Sequence, residues 1–313
     1  LSGFIIGLDG DEKTGKTTLA LTFPKPICIF TFDKGGFERA ACDLDGSPLP
    51  QFRELMETHQ IYNYDLTLPM QAQGVETALG ALKARLPGQG TNLAQVREAV
   101  SNVGQVVKQS NMVIGTKELW YEFLQNLVFV LEGHFPDGTP GLNAKTIVFD
   151  SGTQLWNICH RSVLQEKQER AQGQNSWRES LISIEYAEPN SRMSAIIHAA
   201  RDAGVNLVYI NYVRDKYGKI LDDRGRLVDS IVGVERDAWS RFGREADLAI
   251  ETRLEDIAGD KKVPHGKVTL SGLDLNAYGM DHDWPTWWKF YRMIHMSRTG
   301  EMLPEEEPTD STN

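Results

Sequence analysis

The segment Gly10-Asp11-Glu12-Lys13-Thr14-Gly15-Lys16-Thr17, written GDEKTGKT, follows the apolar run Phe4-Ile5-Ile6 and leads into Thr18-Leu19-Ala20. It fits the pattern G-x-x-x-x-G-K-[ST] in the setting that pattern needs, with a strand before it and a helix after it. Its two glycines permit a backbone path that a Cβ would obstruct. The N–H groups along that path face inward and cradle phosphate oxygens, and the positive end of the helix beginning near Lys16 adds to the field. The expected nucleotide-binding segment is therefore Gly10, Asp11, Glu12, Lys13, Thr14, Gly15, Lys16, Thr17 and Thr18. Lys16 reaches the β- and γ-phosphates, the Thr17 hydroxyl binds Mg2+, and the N–H groups of Lys16 and Thr18 help hold the anion. No N-K-x-D guanine-reading motif occurs, so ATP is the expected nucleotide.

Outward from this loop, strands alternate with helices. Residues 3–10, 27–32, 146–150 and 206–213 read as short buried strands, rich in Ile, Val and Phe. Residues 117–135, 154–172 and 190–204 have helical spacing, the last with Gly204 placed as its stop. Residues 246–255 and 266–275 read as a late antiparallel strand pair. The pattern predicts an α/β fold with a mainly parallel central sheet flanked by helices. One domain is expected over 1–300, with a helical insertion at about 37–116. Within the insertion, 75–86 and 92–107 carry the helical pattern. The segment 301–313, LPEEEPTDSTN from Leu303 onward, reads as an acidic, disordered tail.

Composition bounds the rest. A chain of 313 residues with 41% hydrophobic content can bury a sizeable core. The formal net charge of −10 argues against coating nucleic acid through bulk charge, though not against a local basic groove. Cys28, Cys42 and Cys159 form no C-x-x-C pair, so reduced thiols in a cytoplasmic compartment are expected. No apolar run is long enough to span a membrane and no secretory signal is visible. The chain begins with Leu1, and because the first strand follows almost at once, little is expected to precede it.

Ligands of parallel sheets sit at the carboxyl ends of the strands, where Gly10, Asp33, Asp150 and Asn211 all fall. Asp150 closes the apolar run TIVFD and is the expected acid for a magnesium-bound water. Magnesium prefers hard oxygen ligands, which a Thr hydroxyl, a carboxylate and phosphate oxygens supply. A hydrolase also needs a group that orients the attacking water. Asp33 is one candidate, with turn chemistry before Gly35 and Gly36 as the alternative, and Glu38 is a weaker one.

The phosphate loop, ICIFTFD, TIVFDSGTQLW and NLVYINYVRDKYG occur in the order of the RecA-like ATPase core. The chain resembles the RecA-like nucleotide-binding proteins common in bacteriophages, some of which act in single-strand annealing or recombination. The resemblance covers roughly 3–33 and 119–275. It implies a Mg2+-dependent ATPase acting on single-stranded DNA, a homo-oligomeric ring or filament, and a cytoplasmic location in a bacterial host cell. It implies catalytic roles for Lys16, Asp33 and Asp150. It also places Asn211 and Tyr212 where the family senses the γ-phosphate with Gln or His, and makes 214–226 a mobile loop near the DNA.

In that loop Arg214, Lys216 and Lys219 could neutralise phosphates and Tyr217 could stack a base, but Asp215, Asp222 and Asp223 offset the charge. A plain solvated hairpin explains the stretch equally well. Arg241 and Arg244 could act in trans on a neighbour's phosphoryl group, or simply pair with Glu235, Asp237 or Glu245. Trp284, Trp287 and Trp288 could stack bases or pack together. Two other classes stay open. One is a nucleotide-switched module that regulates or loads a protein partner. The other is a small-molecule kinase, disfavoured because no compact Arg-rich lid is visible.

Overall fold

The computed structural model describes residues 3–33, 35–43, 45–66, 113, 115–171, 178–221, 226–257 and 261–306. Its centre is the set of apolar runs read above: β1 (Ile5–Gly10), β2 (Ile27–Thr31), β4 (Thr146–Asp150) and the first part of β5 (Asn206–Leu221). These are continuous hydrophobic runs because both faces of the sheet are covered. Successive side chains alternate between two cores. Ile5, Phe30, Phe149 and Tyr209 enter one, and Ile6, Ile29, Val148 and Ile210 enter the other.

The first core is roofed by α4 (Thr116–Leu131), α5 (Gly152–Arg170) and α6 (Ala187–Ala203). In α4, Leu119, Trp120, Phe123, Leu127 and Val130 are buried, and this stripe is what makes the helix amphipathic. Phe123 meets Phe30, Phe32 and Phe149 edge-on, with ring centroids at 5.5, 5.6 and 5.6 Å. The second core is closed by α1 (Lys16–Ala20), α2 (Gly36–Ala41) and α8 (Trp287–Thr299). There Trp287 stacks on Phe23 at 4.5 Å, so its role is packing. Gly204 ends α6 in the left-handed region at φ 68°, as its position predicted.

The strand order is β3-β2-β4-β5-β1-β7-β8-β9. Here β3 is Ile61–Asp65, β7 Leu248–Ile257, β8 Lys261–Ser271 and β9 Asp281–Asp283. The pairings from β3 to β7 are parallel, and the β7–β8 and β8–β9 pairings are antiparallel. The α/β architecture with a late antiparallel pair is thus the one observed. No described helix is long and apolar enough to cross a membrane.

Several boundaries differ from the sequence reading. The segment expected to be an insertion from about 37 begins with α2, α3 (Pro50–Glu57) and the edge strand β3, which pairs with β2. The helices expected at 75–86 and 92–107 lie outside the described residues. The fourth strand does not end in a loop. β5 runs on to Leu221 and pairs with β6 (Leu227–Asp237), making a two-stranded arm. Because β7 and β8 extend to Ile257 and Lys261, the loop between them is shorter than expected. The start of the acidic tail is tied down. Arg292 Nε donates to the Leu303 carbonyl at 3.1 Å, and Trp288 Nε1 donates to that of Pro304 at 3.2 Å.

Candidate functional site

β1 delivers Asp9 and Gly10 to the carboxyl edge of the sheet, in register with Asn211 on β5 and Thr252 on β7. Gly10 has φ 151°, and a Cβ there would overlap the Thr252 carbonyl, so the tight exit into the loop requires glycine. The loop turns over through Lys13 at φ 63°, and Gly15, at φ 89°, starts α1 with no side-chain cap on its first N–H groups. Thr14 is buried, and its Oγ1 meets Thr252 Oγ1 at 2.7 Å, which ties the loop to β7. Asp11, Glu12, Lys13 and Thr18 are exposed on the loop and helix start.

Lys16 is only 6% exposed. Its Nζ folds back onto the Gly10 carbonyl at 2.7 Å and onto that of Asp11, and lies 5.3 Å from the centre of the Tyr212 ring. Burial lowers its pKa to about 8, against the raising effect of Asp150 and Asp11. A buried ammonium held by carbonyls alone is matched to an anion.

Asp150 ends β4 in register with Thr31 and Ile210. Its Oδ2 accepts the Thr17 hydroxyl at 3.0 Å. Burial pushes its pKa up to about 6, with Asp33 adding to the shift and the Thr17 bond, Lys16 and Arg39 opposing it. A Cβ on Gly36 would lie 2.8 Å from Asp150 Oδ2, so glycine keeps this oxygen open. Oxygen donors from Thr17 and Asp150, facing a gap that a side chain would fill, suit Mg2+. A cleft of about 230 Å3 runs over these groups, with Lys16, Thr17, Gly36, Arg39, Asp150 and Tyr212 in its walls.

Asp33 joins the same edge. Its Oδ2 accepts Ser151 Oγ at 2.8 Å and Tyr212 OH at 3.4 Å. Ser151 also caps α5, where its Oγ accepts the Gln154 N–H at 3.3 Å. Burial and the nearby Asp33 carboxylate raise the Tyr212 pKa, so the phenol stays a donor. Asn211 is buried, and its Nδ2 donates to Asp9 Oδ1 at 2.9 Å. The two sensor candidates therefore face different groups: Tyr212 faces Lys16 and Asp33, while Asn211 faces Asp9.

Other candidates lie apart. Glu38 is exposed on α2, whose Arg39 and Ala40 side chains are the ones in the cleft wall. Arg214, Lys216 and Lys219 are exposed on the arm, where Arg214 is paired with Glu235 at 2.9 Å and Asp237 at 3.5 Å. Arg241 and Arg244 are exposed at α7 (Phe242–Glu245). The acids expected to pair with them are engaged elsewhere, Glu245 at 4.0 Å from Arg201.

Four residues of the site escaped the sequence reading. Ser151 follows the strand-end acid directly, and Arg39 sits one helical turn beyond Gly36, so both were within reach of spacing arguments. Thr252 and Arg236 required the topology. Arg236, on β6, sends Nε to Asp9 Oδ1 at 2.7 Å and Nη2 to Oδ2, and its guanidinium lies 4.9 Å from the Phe242 ring centre.

A phosphate loop at the mouth of a helix, whose Thr17 meets a carboxylate from the strand two places away, defines a nucleoside triphosphatase domain of the phosphate-loop class. The chain belongs to the AAA domain family, whose pattern matches residues 3–226. No curated protein matches it. Among solved structures, the flagellar accessory protein FlaH from Methanocaldococcus jannaschii superposes with a TM-score of 0.39 at 10% identity, over 89% of this chain and 82% of that one.

Proposed function

We propose that this chain is a Mg2+-dependent, RecA-like ATPase that works on single-stranded DNA, in phage recombination or replication, as a homo-oligomer. The observation that carries the ATPase reading is the convergence of Lys16 and the Thr17–Asp150 pair on one cleft, with Asp33 beside it through its bonds to Ser151 and to Tyr212 of the cleft wall. ATP places its β- and γ-phosphates against the loop N–H groups and draws Lys16 Nζ off the Gly10 and Asp11 carbonyls. Mg2+, when bound, neutralises phosphate charge, and Thr17 and Asp150 hold it. Asp33, fixed by Ser151 and Tyr212, orients the attacking water and accepts its proton. Tyr212 touches both the lysine and this acid, so it reports the γ-phosphate to the arm.

Support for DNA comes from Lys216, Lys219 and Tyr217, all exposed on the arm. Arg241 or Arg244 of a neighbouring copy is the proposed source of an arginine for the transferring phosphoryl group. One observation favours a second reading, a nucleotide-switched module that loads or regulates a protein partner: Arg214 is already paired with Glu235 and Asp237. The deciding measurement is Mg2+-dependent ATP hydrolysis with and without single-stranded DNA, with Lys16→Ala as the blank. DNA-stimulated turnover that Lys16→Ala abolishes supports the first reading. ATP binding with turnover indifferent to DNA refutes it and supports the second.

A further inference from the structure

The long edge strands of a sheet need protection, because their free N–H and C=O groups invite another strand. Two edges here are short: β3 has five residues and β9 has three. β6 has eleven, and among the described residues β5 is its only strand neighbour. β6 reads LVDSIVGVERD: Asp229 apart, its charges gather at the last three positions, and its one irregularity is the ladder shift between Ile231 and Gly233, so the stretch from Ser230 to Val234 carries no charge. Its side chains are unusually apolar for an edge in water: Leu227, Ile231, Val232 and Val234 are 65%, 54%, 47% and 61% exposed. The lysines of the arm, Lys216 and Lys219, lie instead on β5, and Arg236 of β6 is bonded to Asp9.

We infer that β6 pairs edge to edge, antiparallel, with β6 of a second copy of this chain. An unpaired backbone ladder selects a strand as its occupant, and a two-fold axis supplies one with the same length and apolar character. One register is self-complementary. It sets Ile231 of one copy opposite Val234 of the other, twice over. The shift between Lys216 and Tyr217 in the β5–β6 ladder places Ile231 and Val234 on one face of the arm, so these pairs meet on the same side. In this register Asp229 stands opposite Arg236 and Ser230 opposite Glu235, so no like charges meet. Both β5 strands stay on the outside, and their lysines remain available. The inference names the surface behind the self-association proposed above and does not require ATP turnover.

The test is the solution mass of the intact chain by light scattering, with and without Mg2+-ATP. The expected mass is twice the 35.1 kDa of one chain. Ile231→Lys with Val234→Lys puts ammonium groups on the edge and is expected to give single chains that still bind ATP and keep the wild-type circular dichroism. A second variant guards against misfolding: Ile231→Cys with Val234→Cys is expected to form an interchain disulfide on oxidation. Asp215→Cys with Tyr217→Cys on β5 is expected to form none, because two β5 strands would be three strand spacings apart, about 14 Å. A single-chain mass for the unaltered protein overturns the inference. A dimer unaffected by the two lysines also overturns it, while leaving self-association in place through another surface. So does a lysine variant that gains DNA affinity without changing mass.

Discussion

Asp150→Asn separates what Asp150 costs the fold from what it does in the site. The folded pKa of about 6 stands above the ordinary 3.8 because burial penalises the carboxylate. At pH 7 the group is ionised in both folded and unfolded chains. Folding therefore carries a penalty of about 3 kcal/mol, two pKa units at about 1.4 kcal/mol each. The sign follows from the raised pKa: the stabilising share of this group is full below pH 3.8 and is lost as pH rises through 6. Asparagine has nearly the same shape, keeps an acceptor for Thr17, and carries no charge. The variant is expected to unfold at a temperature a few degrees above wild type at pH 7 without nucleotide, at roughly 2 °C per kcal/mol for a chain of this size. At pH 4.5 the advantage shrinks to about 1 kcal/mol, because the wild-type acid is then protonated in the fold. Mg2+-dependent hydrolysis is lost at both pH values. The assay is thermal unfolding of both proteins at the two pH values, beside ATP turnover. A variant less stable than wild type at pH 7, or a gap that widens in acid, would refute the assignment of Asp150 as a buried, desolvated carboxylate.

The same two groups predict a bell-shaped pH dependence for kcat/KM. Activity falls below about pH 6 as Asp150 protonates and above about pH 8 as Lys16 loses its charge, read from initial rates at fixed Mg2+. Gly36→Ala places a methyl group against Asp150 Oδ2 and is expected to raise the Mg2+ concentration needed for half-maximal turnover by at least tenfold, with circular dichroism unchanged. Arg236→Ala leaves the Asp9 carboxylate buried with only the Asn211 amide, and is expected to destabilise the chain by about 3–5 kcal/mol in denaturant titration. Phe123→Ala empties the centre of an aromatic cluster and is expected to cost a similar amount, about 3–5 kcal/mol, while leaving ATP affinity in the surviving fold unchanged.

The central strands were legible in the sequence because each carries a short apolar run buried on both faces. Gly10, Lys16, Thr17 and Asp150 were legible because a phosphate site constrains local spacing. The parts that escaped did so for three different physical reasons. β3 reads Ile-Tyr-Asn-Tyr-Asp, half-buried at a sheet edge, so it lacks the hydrophobic run that marked its neighbours. β6 is exposed from Leu227 to Val234 apart from Ser230, with apolar side chains that no interior explains, and so had no alternation to reveal it. The Asp9–Arg236 pair spans 227 positions in sequence, a separation that spacing rules cannot bridge.

The bond between Asp9 and Arg236 also bears on where the smallest independent folding unit ends. The family pattern stops at residue 226, yet β1 takes one of its two parallel neighbours from β7, and its terminal carboxylate takes a guanidinium from β6. A fragment trimmed to the family boundary would expose the edge of the strand that carries the phosphate loop and strand an anion in its wall. The ATP site is therefore a property of the chain through at least β7, and its evolutionary signature is shorter than its physical one.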